Sequence, residues 1–268
     1  MKKYFLFICF LTFMITGCVE TPVPIPELEI KNSDKVVLVE YLTGVKCPNC
    51  PRGSSILKSA KDKFPENIAI VGIHGRFLTD PLSKSKFDFR NDFSRQLEES
   101  YRPFLGKPAA LINRVKFADE PNLAADLPDL WPAYIADEVT KPVSVNIISS
   151  HQINPDTRKL DINLGISASE SINESTKISV YITESGIIDA QESVGQIIEN
   201  YQHEHVLRHM LTAWNGDSFA SKLSQGELIN KNYTYTIPAD YLISNLEVII
   251  SVSLASNRQV LQAHKIEL

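Results

Sequence analysis

The sequence predicts an α/β domain followed by an all-β domain, and three observations predict it. An apolar run, Val36-Val37-Leu38-Val39, leads to Cys47-Pro48-Asn49-Cys50 and then to a helical pattern carrying Ile56, Leu57, Ala60 and Phe64. A second continuous apolar run over residues 68–73 reads as a buried strand. After Val143 the helical patterns stop and short stretches of period-two alternation take over. Strands at that spacing, with no helix between them, argue a β-sandwich of about 120 residues.

The chain has 268 residues, enough for one large domain or two ordinary ones. Its net charge of −5 argues against nucleic acid as a main partner. The beginning reads as a targeting segment. Lys2 and Lys3 precede an apolar stretch over residues 4–15 that is too short to span a bilayer. Ile15-Thr16-Gly17-Cys18 resembles a bacterial lipobox, which makes Cys18 the lipidated first residue of the mature chain. The predicted organisation is a lipoprotein signal peptide over 1–17 and a lipidated, Pro-rich tether over 18–34. An α/β domain over 35–141 and a β-sandwich over 142–268 complete it. Pro22, Pro24 and Pro26 favour an extended tether. Cys9 leaves with the leader and Cys18 carries lipid, so Cys47 and Cys50 form the one possible intramolecular disulfide. An exported compartment permits it. Two cysteines are too few for a Cys-only zinc site, and no metal or cofactor is expected.

The first strand is expected over residues 35–42, and residues 43–46 form a loop that delivers Cys47. Pro48 and Pro51 fall in the first helical turn, where a missing N–H has no intrahelical partner to lose. That helix ends before Pro65. A second helix is expected over 89–104 from Phe89, Phe93, Leu97 and Tyr101 at spacings of four. A third is expected over 122–140, its first half interrupted by Pro128 and Pro132. Period-two strands follow over 143–147, 160–166, 178–182, 233–237, 248–254 and 260–268, with a hairpin turn at Asn154-Pro155-Asp156.

Strand, Cys-x-x-Cys and helix in that order resemble a thioredoxin-like redox site. A thiolate at a helix N-terminus meets free N–H groups and the positive end of the macrodipole, so its pKa falls. The resemblance extends to Gly106-Lys107-Pro108 before Ala109-Ala110-Leu111-Ile112, where Pro108 would be a cis-proline packed on the cysteines. It also implies that Glu40, at the end of the first strand, could be a buried proton acceptor for Cys50. The catalytic set it implies is thus Cys47, Cys50, Pro108 and Glu40. Against it stands a static structural disulfide, although so small a ring removes little unfolded-chain entropy. Lys46 and Lys107 read as solvated, and His74 as structural or surface. His203, His205 and His209 would share a face of a straight strand. A structural role is preferred for them, with Arg208 pairing Glu204 or Glu199.

Over most of the mature chain the sequence resembles the outer membrane protein 28 family of lipoproteins from Bacteroidetes. The carriers are residues 41–51 around the cysteines, Tyr201-Gln202-His203-Glu204-His205-Val206-Leu207-Arg208, and Val260-Leu261-Gln262-Ala263. Membership would imply a thioredoxin-like domain, an immunoglobulin-like β-domain and a lipid anchor at the outer membrane, on either face. Two functions fit. One is thiol–disulfide exchange on exported proteins. The other is a non-enzymatic interaction module for exported or surface proteins, with the α/β part as scaffold.

Overall fold

The aliphatic residues from Val37 onward form a strand, β1 (Val37–Leu42), that is buried at every position. Burial on both faces needs cover on both. Val37, Val39 and Tyr41 pack with Leu57 of helix α1 (Cys50–Lys63) and with Trp131 and Ile135 of α3 (Trp131–Val139). Leu38 and Leu42 face the opposite core, with Leu97 of α2 (Asp92–Ser100) and Tyr181, Leu207 and Ile249 from the C-terminal half. β1 pairs in parallel with β2 (Ile68–Ile73) and antiparallel with β3 (Ala109–Ile112). The structure, a computed structural model, describes residues 35–268. The expected signal peptide, the lipidated Cys18 and the tether lie outside the described residues.

Two predicted helices are shorter than expected. Asn91 caps α2, its side-chain oxygen accepting from the Ser94 N–H at 2.8 Å. The third begins as a 3-10 turn over Pro128–Leu130 and becomes α-helical only at Trp131, because its prolines are confined to first turns.

Beyond residue 143 the chain forms ten strands. The period-two stretches become β4 (Val145–Asn154), β5 (Lys159–Ala168) and β6 (Thr176–Glu184), then β11 (Leu228–Thr236), β12 (Leu246–Leu254) and β13 (Val260–Glu267). Between them lie four strands that the sequence pattern does not announce. These are β7 (Ile187–Ser193), β8 (Gln196–His203), β9 (Val206–Met210) and β10 (Asp217–Ala220). β11, β5 and β4 form a three-stranded sheet. Its Leu160, Ile162 and Ile166 pack on Val180, Val248 and Ile250 of β6 and β12. β7 and β8 form a separate two-stranded ribbon.

The expected division into an α/β thioredoxin-like domain and a separate immunoglobulin-like sandwich is not what the chain builds. Among the described residues strand dominates, with thirteen strands against three α-helices. One eight-stranded sheet, in the order β13-β12-β6-β9-β2-β1-β3 with β10 also on β6, runs through both predicted halves. All the described residues, 35–268, fall in one compact unit. Periodicity identifies a strand but not the strand it will meet, and the joining strand, β9, is five residues long.

The join is narrow. β2 and β9 meet at one register pair, Gly72 with Val206, where the Gly72 N–H donates to the His205 carbonyl at 2.7 Å. A Cβ on residue 72 would sit 3.0 Å from that oxygen, so any larger residue would press on the join. Gly72→Val should therefore lower stability by about 1–3 kcal/mol in urea unfolding. Gly106→Ala, where an added Cβ meets nothing within 4 Å, should leave the midpoint unchanged.

Candidate functional site at the cysteine pair

Cys47 ends the loop after β1 and Cys50 opens α1, with Pro51 just inside the helix. The two sulfurs are bonded at 2.09 Å, with Cα atoms 5.3 Å apart. The Lys107–Pro108 peptide is cis. Pro108 lies against the first turn of α1, where a Cβ on Gly53 would come within 2.9 Å of the Pro108 Cβ. Tyr41 on β1 donates its hydroxyl to the Cys50 carbonyl at 2.7 Å. The sequence thus located the cysteine pair and the proline beside it.

The pair is sealed. Cys47 is 0% and Cys50 1% exposed. Part of the cover is the β7–β8 ribbon, contributed from some 140 residues further along the chain. Gln191 on β7 donates its side-chain amide to the carbonyls of Gly44 at 3.2 Å and Cys47 at 3.1 Å. The Glu192 N–H donates to the Val45 carbonyl at 2.8 Å. The buried Asp189 carboxylate accepts from the N–H groups of Lys86 at 2.8 Å and Phe87 at 3.0 Å. Asp189 and Gln191 escaped sequence reasoning because a buried polar side chain in an unpredicted hairpin leaves no periodic signal.

Glu40 does not serve Cys50. It points to the face of β1 opposite α1, because side chains alternate along a strand and Tyr41 takes the α1 side. There Arg114 donates to both of its carboxylate oxygens at 2.8 Å, and Tyr101 and Tyr181 donate at 2.7 and 3.2 Å. Burial alone would raise the Glu40 pKa, but the Arg114 charge and these hydrogen bonds outweigh it and hold the pKa below the ordinary carboxylate value. That is the reverse of what a proton acceptor for Cys50 requires.

Lys107 is not solvated. Its ammonium is fully buried, 2.7 Å from the Glu98 carboxylate, and it donates to the Thr43 carbonyl at 2.7 Å. Lys46 is partly exposed, 3.8 Å from Asp80. His74 is buried, in a ring cluster with Phe89 and His203. The three C-terminal histidines do not share a straight strand. His203 ends β8, His205 turns the chain at φ +55°, and His209 lies on β9 against Phe93 and Tyr235. Among the described residues no group of three or more metal-ligating side chains forms. Arg208 pairs with Glu184 at 3.3 Å and Asp240 at 3.6 Å rather than with Glu204 or Glu199.

Beside the cysteines a cleft of about 590 Å³ opens between α1 and β8, floored by Tyr41, Leu57 and Ile70 and walled by Tyr201. Its size is within the range of ligand sites. A separate recess of about 400 Å³ lies at the cysteine pair itself, lined by Asn49, Arg52, Lys107 and Pro108.

A mostly β protein with a covered disulfide and an adjacent cleft is the class these features define. The family model described as Outer membrane protein Omp28 matches residues 95–268, well over half the chain, and the chain belongs to that family. It is accordingly a lipoprotein of the outer membrane. The matched stretch begins after Cys47 and Cys50, so membership carries no argument about them. Among the described residues no helix is long and apolar enough to cross a membrane. HBP35 of Porphyromonas gingivalis superposes with a TM-score of 0.68 at 16% identity, covering 88% of this chain and 76% of that one. Protein AGR_C_4864 from Agrobacterium tumefaciens gives 0.51 at 12% identity, over 87% and 95%. Both likenesses concern the fold alone. A domain of the outer membrane lipoprotein Omp28 from Porphyromonas gingivalis gives 0.34 at 18% identity over 47% and 88%, too low to carry an argument. No curated protein matches the chain.

Two outcomes follow from the buried charges. Arg114→Met strands the Glu40 carboxylate and should cost about 3–5 kcal/mol in denaturant unfolding, whereas Glu40→Leu with Arg114→Met should recover most of that loss. Burial lowers the pKa of His203 to about 4 from the ordinary 6.5. The unfolded chain therefore binds a proton that the folded chain does not, and stability should fall as pH drops from 6.5 toward 4. His203→Phe should remove its share of that slope, and the remainder comes from His74 and His205, whose pKa values burial also lowers.

Proposed function

We propose that the chain is a non-enzymatic binding protein of the outer membrane, with exported or surface polypeptides as partners and Cys47–Cys50 as a structural disulfide. The observation that carries this reading is the seal, with Cys47 0% and Cys50 1% exposed. Exchange begins when an external thiolate attacks one sulfur of the disulfide, and that attack needs access. The displaced Glu40 removes the proton acceptor that the exchange reading had assigned. The cleft between α1 and β8 is open, whereas the disulfide is not.

One observation favours the second reading, thiol–disulfide exchange. Cys50 opens α1, and Pro108 packs on the same helix turn. In that reading a substrate thiolate bonds to the Cys47 sulfur and Cys50 leaves as the thiolate, stabilised at the helix N-terminus. A second substrate thiolate then releases Cys47, so the substrate is oxidised and the pair reduced. The β7–β8 ribbon has to move first.

Equilibration with glutathione or dithiothreitol buffers separates the two. A structural disulfide should show a potential below about −300 mV and slow reduction of the native protein. A value between about −120 and −270 mV with rapid exchange would replace the binding reading by the exchange one. Replacing both cysteines with alanine should cost about 2 kcal/mol, the chain-entropy value for so short a loop, and leave partner binding intact.

A further inference from the structure

The cleft beside α1 continues into a second recess of about 410 Å³, and the two share Lys61, Gln202, Glu204 and His205. Along α1 the joint groove runs from Pro51 to Lys61, about 15 Å at the helical rise. That length takes four or five residues of extended chain, at roughly 3.3 Å each. Its far wall is β8, which among the described residues pairs with β7 and with no other strand. The near end is apolar, with Tyr41, Leu57 and Ile70.

The far end is acidic, and its Glu204 carboxylate accepts from the Gly186 N–H at 3.0 Å and from the Gln202 side chain at 2.5 Å. Glu204, Glu247 and Glu267 line the recess against the single cation Lys61. The Glu247 side chain is only 10% exposed, and its Oε2 has no hydrogen-bond partner. Lys61 Nζ stands 3.7 Å from the other oxygen, beyond hydrogen-bond reach. His205 Nδ1, 3.9 Å from Oε2, is likewise unpartnered. Lys265 contributes charge nearby, but its ammonium is turned to the Pro65 carbonyl and Glu66. Glu247 thus has neighbours at 3.7 and 3.9 Å but no donor within hydrogen-bond distance of Oε2, and a buried carboxylate so incompletely compensated attracts a further cation to the recess.

We propose that this groove binds an extended polypeptide segment, with an apolar side chain over Tyr41, Leu57 and Ile70 and a basic side chain in the recess against Glu247 and Glu204. It rests on the binding reading above and supplies the chemistry of the partner. The segment lies alongside β8, and its alternate side chains face the groove.

The test is titration of the folded chain with a fluorescein-labelled pentapeptide, Val-Phe-Ser-Lys-Ser, blocked at its C-terminus, read by fluorescence anisotropy. Phe and Lys, two apart, face the same side. The twin peptide with Glu in place of Lys is the control. Binding should be saturable and at least tenfold tighter for the Lys peptide. Glu247→Gln should erase that preference while the chain keeps a cooperative thermal transition. Glu204→Gln, at an exposed residue, should reduce it severalfold. Equal affinity for the two peptides, or no saturable binding of either, overturns the proposal. The disulfide measurement keeps the two failures apart. A stable, slowly reduced disulfide without peptide binding overturns the groove proposal alone, whereas a labile disulfide without peptide binding overturns both.

Discussion

The pairing of Glu40 with Arg114 is the interaction on which the architecture depends. Glu40 lies in the middle of a strand buried on both faces, and a lone carboxylate there would be untenable. Its four hydrogen bonds come from Arg114 beyond β3, Tyr101 at the end of α2 and Tyr181 on β6. Arg258, before β13, stacks on the Tyr101 ring at 4.7 Å and donates to the Ser100 carbonyl. One charge in the N-terminal half is thus neutralised by groups from both halves. The pair does more than cancel charge: satisfying it requires the β1 and β6 regions to assemble in one arrangement.

The ribbon of β7 and β8 serves the cysteine loop in a similar way. Residues 43–47 form a turn whose carbonyls need donors, and three of them are met from this ribbon, two by one glutamine side chain and one by the Glu192 N–H. The two cysteines are left 0% and 1% exposed. The features that make a helix-start cysteine reactive are present, but the access that reactivity needs is closed. Loop and ribbon are held in contact by polar groups rather than by a broad apolar interface.

Much of this was legible in the sequence, and the rest was not for identifiable reasons. The strands of β1, β2, β12 and β13 were readable because continuous or alternating aliphatic residues have no other use. Cys47, Cys50 and Pro108 were readable because their residue types carry rare chemistry. The single sheet through both halves was not, since it depends on Gly72 meeting Val206, a contact with no local signature. The direction of Glu40 was misread because the loop to Cys47 hides the register, and a shift of one residue reverses the face. The ribbon was missed because Gln196, Glu199, Asn200 and Gln202 interrupt any alternation in β8, and Asp189 and Gln191 are buried where apolar residues would be expected.

β1 follows directly on the N-terminal side of the chain, yet it lies inside its sheet with a partner on each side. Just before it, Lys35 donates to the Leu261 carbonyl and the Val36 N–H to the Gln262 side chain at 3.1 Å. Tension arriving along the chain from that side is therefore delivered to an interior strand. The hydrogen bonds to β2 and β3 lie across that pull and must shear together, whereas those of a strand pulled sideways from an edge would unzip in turn. A load entering the fold from that side thus meets the hydrogen bonds of both neighbouring strands at once.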